Sequence, residues 1–181
     1  MNSEWNRIGS CESVSGGYAA LSKEIYTEIH AQIRKLIDSG IRIEHIDGHH
    51  HIHIFPSVVE SVIDAARESD IKRIRTPEEP RPFCSNLQLT HQQIHEASLF
   101  STYAASARKI FQKSGILTTD HFMGLYFKGK FSIDIFEQML QNLSDGSTEL
   151  MLHPGRASKG ANIGSFSTFS THERETELET L

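Results

Sequence analysis

The chain has 181 residues, a net charge of −5, 38% hydrophobic and 23% charged residues. These are the proportions of a soluble domain with a real core. The acidic balance and the scattered lysines and arginines argue against a nucleic-acid binder, which would carry a basic face. No apolar run approaches the ~18 residues of a membrane helix, and no signal-peptide core opens the chain. Cys11 and Cys84, the two cysteines, stand far apart. They suggest neither a disulfide framework nor a thiolate zinc site, and a cytoplasmic setting is expected.

Residues 1–17 are polar and read as a disordered or truncated lead-in, with one domain over 18–181. From Tyr18 to Asp38, Ile25, Ile29, Ile33 and Leu36 recur at steps of three and four, which predicts a helix. Gly40 suits the left-handed position after it. IRIEHID (41–47) reads as a short strand. Its period of two sets His45 and Asp47 on one side, and His49 with them if the chain stays extended. Pro56 fits the first turn of a helix reaching about Glu68. Ile71 to Arg75 predicts a second strand, followed by a proline-rich loop, TPEEPRP. A helix is expected over 91–113, ending at Ser114-Gly115. ILTTDHFMGLYF suggests a turn or short strand. Ser132 can cap a helix whose apolar face is Ile133, Phe136, Met139, Leu140 and Leu143. TELMLH (148–153) reads as a strand, and the Ser/Thr-rich tail after Arg156 ends in a helix with Thr171 as its cap. Alternation of this kind predicts an α/β fold with a parallel sheet or barrel, whose functional residues gather at the C-terminal strand ends.

Three chemically rich stretches fall at such ends. Five of the eleven histidines lie between His45 and His53. Imidazole is the commonest protein ligand of transition metals, so the cluster points to a divalent metal, with a ligand-free polar turn as the alternative. Spacing alone does not single out one histidine; shared parity with Asp47 favours His49. His153, closing the last strand before Pro154-Gly155, suits a general acid or base, or else a histidine hydrogen-bonded in a core turn. Arg75 could hold a substrate anion or pair with Glu78 or Glu79. His121 sits in Asp120-His121-Phe122. Asp47, Arg75 and His121 are the candidate substrate-binding residues.

Together these residues resemble the YdjC-like carbohydrate deacetylases. HIDGHHHIHIFP (45–56) is similar to the family pattern H-x-D-[SG]-H-[HQ]-H-V-H-x-x-P, with Ile52 at the valine position. TTDHFMGLYFKGK (118–130) is similar to a stretch of the type T-x-D-x-F-x-G-L, and TELMLHPG (148–155) to E-[LV]-M-x-H-P, in the same order. The resemblance implies a distorted, TIM-like β/α barrel that removes an acetyl group from N-acetylated sugars with a divalent metal, Mg2+ or Zn2+. It implies that His49 is a metal ligand and that His153 protonates the leaving amine. It also exposes a departure. The family's opening N-A-D-D-F-G strand and its later G-[LM]-H-x-x-L stretch do not occur here. A barrel typically needs about 250 residues. The expectation is a barrel incomplete in this chain, inactive or nearly so by itself. Unpaired strand edges invite a second chain, so a homodimer is an expected assembly beside the small carbohydrate substrate. Two other readings are a catalytically inactive binding module on the same fold and a different β/α-barrel metallohydrolase.

Overall fold

The computed structural model describes residues 11–83, 87–127, 130–156 and 171–181, with backbone alone for 11–20 and 171. The readings placed on residues 1–10, on Cys84 and on the tail over 157–170 lie outside these residues. The elements in chain order are α1 (Cys11–Asp38), a short 3-10 turn (His49–Ile54), α2 (Val59–Glu68), α3 (His91–Lys113), β1 (His121–Met123), α4 (Ile133–Gln141), β2 (Thr148–Leu150) and α5 (Thr171–Thr180). The architecture is mixed α/β with a small parallel sheet. Among the described residues no helix is long and apolar enough to cross a membrane. The described residues form two compact units, one drawn from 1–75 and 106–118 and the other from 76–105 and 119–181.

In the first unit, α1 begins at Cys11 rather than Tyr18 and ends, as expected, at Gly40 with φ +81°. Only part of its predicted stripe is covered: Ile33 is buried, whereas Leu36 is 43% exposed. α2 packs on α1 and buries Val59, Val62, Ile63 and Ala66. It starts at Val59, three residues after Pro56. Polar contacts lace the two helices: Ser61 Oγ donates to the Ser22 carbonyl at 3.0 Å, and Tyr26 donates to Glu68. The predicted strands 41–47 and 71–75 shrink to parallel bridges, Ile46 with Ile74 and Arg73 with Leu117. Extended chain therefore runs side by side at 46, 74 and 117, with Ile74, Ile71 and Phe111 buried nearby in sequence or on neighbouring elements.

In the second unit, β1 and β2 pair in parallel, His121 with Thr148 and Met123 with Leu150. β2 is shorter than the predicted 148–153. Its continuation is held by the Met151 amide on the Met123 carbonyl at 2.9 Å. Met123, Phe127, Phe131 and Met139 form the core, with rings in sequence from Phe83 through Phe127 and Phe131 to Phe136 at centroid spacings of 5.5–5.9 Å. Ser132 caps α4 as expected, its side chain accepting the Ile135 amide. The buried face of α4 differs from the expected one: Ile135, Phe136 and Met139 meet the core, while Ile133 and Leu140 are more than half exposed. One side of a nine-residue helix fits against the aromatic row, and the row chose the side.

α3 has the predicted bounds and is divided between the units. Thr90 and Gln93 form a reciprocal capping box: the Gln93 amide donates to Thr90 Oγ1 at 3.2 Å and the Thr90 amide to Gln93 Oε1 at 3.0 Å.

Candidate functional site

In the first unit, the chain leaves the extended form after Asp47. Gly48 is the last extended residue, and His49–Ile54 form a tight turn in which His50 and His51 take left-handed φ values of 52° and 57°. The period-of-two argument therefore stops before His49, and parity with Asp47 no longer singles it out. Left-handed backbone costs an L-residue roughly 1–2 kcal/mol, so two such residues in a row need an anchor.

His53 is that anchor. It is 2% exposed. Its Nδ1 accepts the Gly48 amide at 3.0 Å, and Nε2 lies 2.9 Å from the Arg75 carbonyl. A carbonyl only accepts, so the proton sits on Nε2 and the ring is held as one neutral tautomer. His51 is also buried, whereas His49 and His50 are exposed. The cluster thus splits into an inward pair that builds the turn and an outward pair that the turn presents.

Asp47 and Arg75 meet in an ion pair, with side chains 32% and 17% exposed. Asp47 is a partner for Arg75 that the sequence pattern did not suggest. The Arg75 amide donates to the Ile46 carbonyl at 2.9 Å, which brings the neighbouring Asp47 within reach. Both candidate substrate-binding groups on this unit are engaged with each other.

In the second unit, His121 opens β1. Its Nε2 lies 3.1 Å from the Asp145 carbonyl. Asp120 beside it accepts the amide and hydroxyl of Ser147 at 2.8 and 2.7 Å. This ties the start of β1 to the turn before β2.

His153 lies half-buried beyond β2, and its amide donates to the Glu177 carboxylate. The Gly155 amide donates to the Arg174 carbonyl at 3.1 Å. α5 is hydrophilic, yet Glu177 is 1% exposed. Burial pushes its carboxyl above the ordinary glutamate range, while the His153 amide pulls the other way. Sequence reading missed this residue: one glutamate among THERETELET carries no signal of burial.

Glu79 was likewise read as a surface partner and is 3% exposed. Its Oε2 accepts the amides of Gly124 at 3.0 Å and Leu125 at 2.7 Å. Desolvation outweighs these amides and raises its pKa from 4.5 to about 7. Gly124 has φ +145°, and a Cβ there would meet Met151 at 2.8 Å. Glu79 therefore holds a turn that is pressed against the chain leaving β2.

Among the described residues, no three His, Cys, Asp or Glu side chains converge as a metal site. The exposed His49 and His50 do not make one by themselves, so these residues alone do not fit a bound ion.

Residues 7–181 match the model of a family described as YdjC-like protein. The chain is similar to proteins named carbohydrate deacetylase. It is 25% identical to one from Brevibacillus brevis over 90% of this chain and 54% of that protein. It is 27% identical to one from Danio rerio, over 97% and 64%, and 26% identical to one from Xenopus laevis, over 97% and 63%. The chain thus spans between about half and two-thirds of the length of these relatives. No solved structure matches.

Proposed function

The chain belongs to the YdjC-like protein family, and on that premise we propose that it serves as a carbohydrate N-deacetylase on a β/α barrel. The supporting observation is the seating of His153: its backbone is tied to a buried carboxylate at the C-terminal side of a parallel strand, where such folds carry chemistry. In the reaction, water adds its oxygen to the acetyl carbon, the C–N bond breaks, and acetate leaves. The amine nitrogen gains a proton, which we assign to His153 acting as general acid. His49 is assigned to a divalent ion, Mg2+ or Zn2+, that needs further ligands from outside the described residues. His121 is assigned to substrate. Asp47 and Arg75 hold the histidine turn and meet substrate through whatever their ion pair leaves exposed.

The motif departures lead us to expect that the 181-residue polypeptide alone releases little or no acetate. The test assays acetate release from N-acetyl sugar oligomers by this polypeptide and by the protein purified from its own source, whose intact mass is measured in parallel. Release by the source protein, lost in His153→Ala, supports the assignment. Hydrolysis of phosphoesters but not N-acetyl sugars would replace it with another metallohydrolase. Sugar binding without acetate release by either sample would favour a binding module, a reading that also suits the absence of a converging metal-ligand cluster among the described residues.

A further inference from the structure

Within the second unit, a cleft of about 110 Å3 is walled by Glu78, Glu79, Arg81, Phe83 and His121, with Phe122 beneath. The His153 chemistry does not use it. Its lining is a small set of polar groups around apolar ring surface, the usual make-up of a ligand site.

Glu79 is the informative wall. One oxygen holds the Gly124 and Leu125 amides. The other, Oε1, is buried and has no hydrogen-bond partner among the described residues. Leaving a buried polar atom unmade costs about 1–3 kcal/mol, and a ligand hydrogen bond offsets that cost. With its pKa near 7, Glu79 can accept or donate at neutral pH. His121 is fixed through Nε2 on the Asp145 carbonyl, which leaves Nδ1 as an acceptor in the neutral ring. Phe83 is half-buried, packed edge-on to Phe127 at 5.9 Å. Its ring is a surface for the apolar face of a ligand. Charges of both signs, Glu78 and Arg81, stand at the rim, so no net charge is selected.

We propose that this cleft is a carbohydrate subsite for a neutral, hydroxyl-bearing sugar ring, lying against Phe83 and hydrogen-bonded through one hydroxyl to Glu79. A hydroxyl both donates and accepts, so it complements this carboxyl in either protonation state. The ligand class rests on the deacetylase reading; the cleft and its unsatisfied oxygen do not.

The test is NMR titration of the full 181-residue chain with N-acetylglucosamine and, separately, glucose. The subsite is supported if the Gly124 and Leu125 amides and the Phe83 ring shift together. Phe83→Leu, which keeps apolar bulk, then weakens binding about tenfold or more, and Glu79→Gln alters the shift pattern at Leu125 while the chain stays folded. Shifts confined to the His49–His53 turn or to His153 would overturn the subsite and leave the deacetylase reading standing. Undiminished affinity in Phe83→Leu would also overturn it. No shift anywhere with either sugar would overturn the subsite and count against the carbohydrate reading as well.

Discussion

The His53 ring donates from Nε2 to the main-chain carbonyl of Arg75 at 2.9 Å. Its other nitrogen takes the Gly48 amide at 3.0 Å, so one buried imidazole closes the histidine turn and ties it to the neighbouring extended segment. Replacing it by Phe keeps bulk and removes both bonds. The expected cost is about 2–4 kcal/mol, from two buried backbone groups left unpaired. Urea unfolding followed by circular dichroism measures this. An unchanged midpoint would mean that the turn stands without its anchor. His49→Ala, on the exposed side of the same turn, is expected to change stability by less than about 0.5 kcal/mol.

Asp47 and Arg75 form a partly buried ion pair. A double-mutant cycle with Asp47→Asn and Arg75→Gln should give a coupling of about 1 kcal/mol or more, above the range for exposed pairs. A coupling near zero at low salt would show that the two groups act independently and are available to substrate.

Glu79 gives a pH signature. Its folded pKa of about 7 lies above the ordinary 4.5, so the folded chain holds this proton more tightly than the unfolded chain. The associated stability is complete below pH 4.5 and is lost as pH rises through about 7. The full difference is roughly 3 kcal/mol. Glu79→Gln cannot ionise, so its stability relative to the parent should rise steadily from pH 4.5 to 8. Melting temperatures of the two proteins across that range check the sign. A constant gap would refute the burial of an ionisable Glu79.

Glu177 receives the His153 amide. Glu177→Leu removes the acceptor and should cost about 1–3 kcal/mol, with an upfield shift of the His153 amide proton. Glu177→Gln keeps an acceptor oxygen and should recover most of both effects. If the His153 amide resonance is the same in all three proteins, the contact is absent in solution.

Much of this was legible locally. α3 has the bounds that its pattern and Ser114-Gly115 implied, Gly40 is left-handed, and Ser132 caps α4. Each is settled within a few residues by backbone geometry and a nearby side chain. Family membership was legible too, through three spaced motifs. The strands were overstated because an alternating pattern shows that a segment can pair, not for how many residues a neighbour runs beside it. The parity argument for His49 failed at Gly48, where the backbone turns and the period of two ends.

The sequence by itself determined where the helices lie, several of their ends, the α/β class and the family, because these depend on short-range periodicity and on residue order. Only the tertiary structure decided which polar groups face inward. His53 was separated from His49, Arg75 was given to Asp47, and Glu79 and Glu177 were buried against the amides of Gly124, Leu125 and His153. The physical reason is that a polar side chain is buried where a distant backbone group needs a partner. Such partners come from residues 22 to 46 positions away along the chain, which no local pattern records.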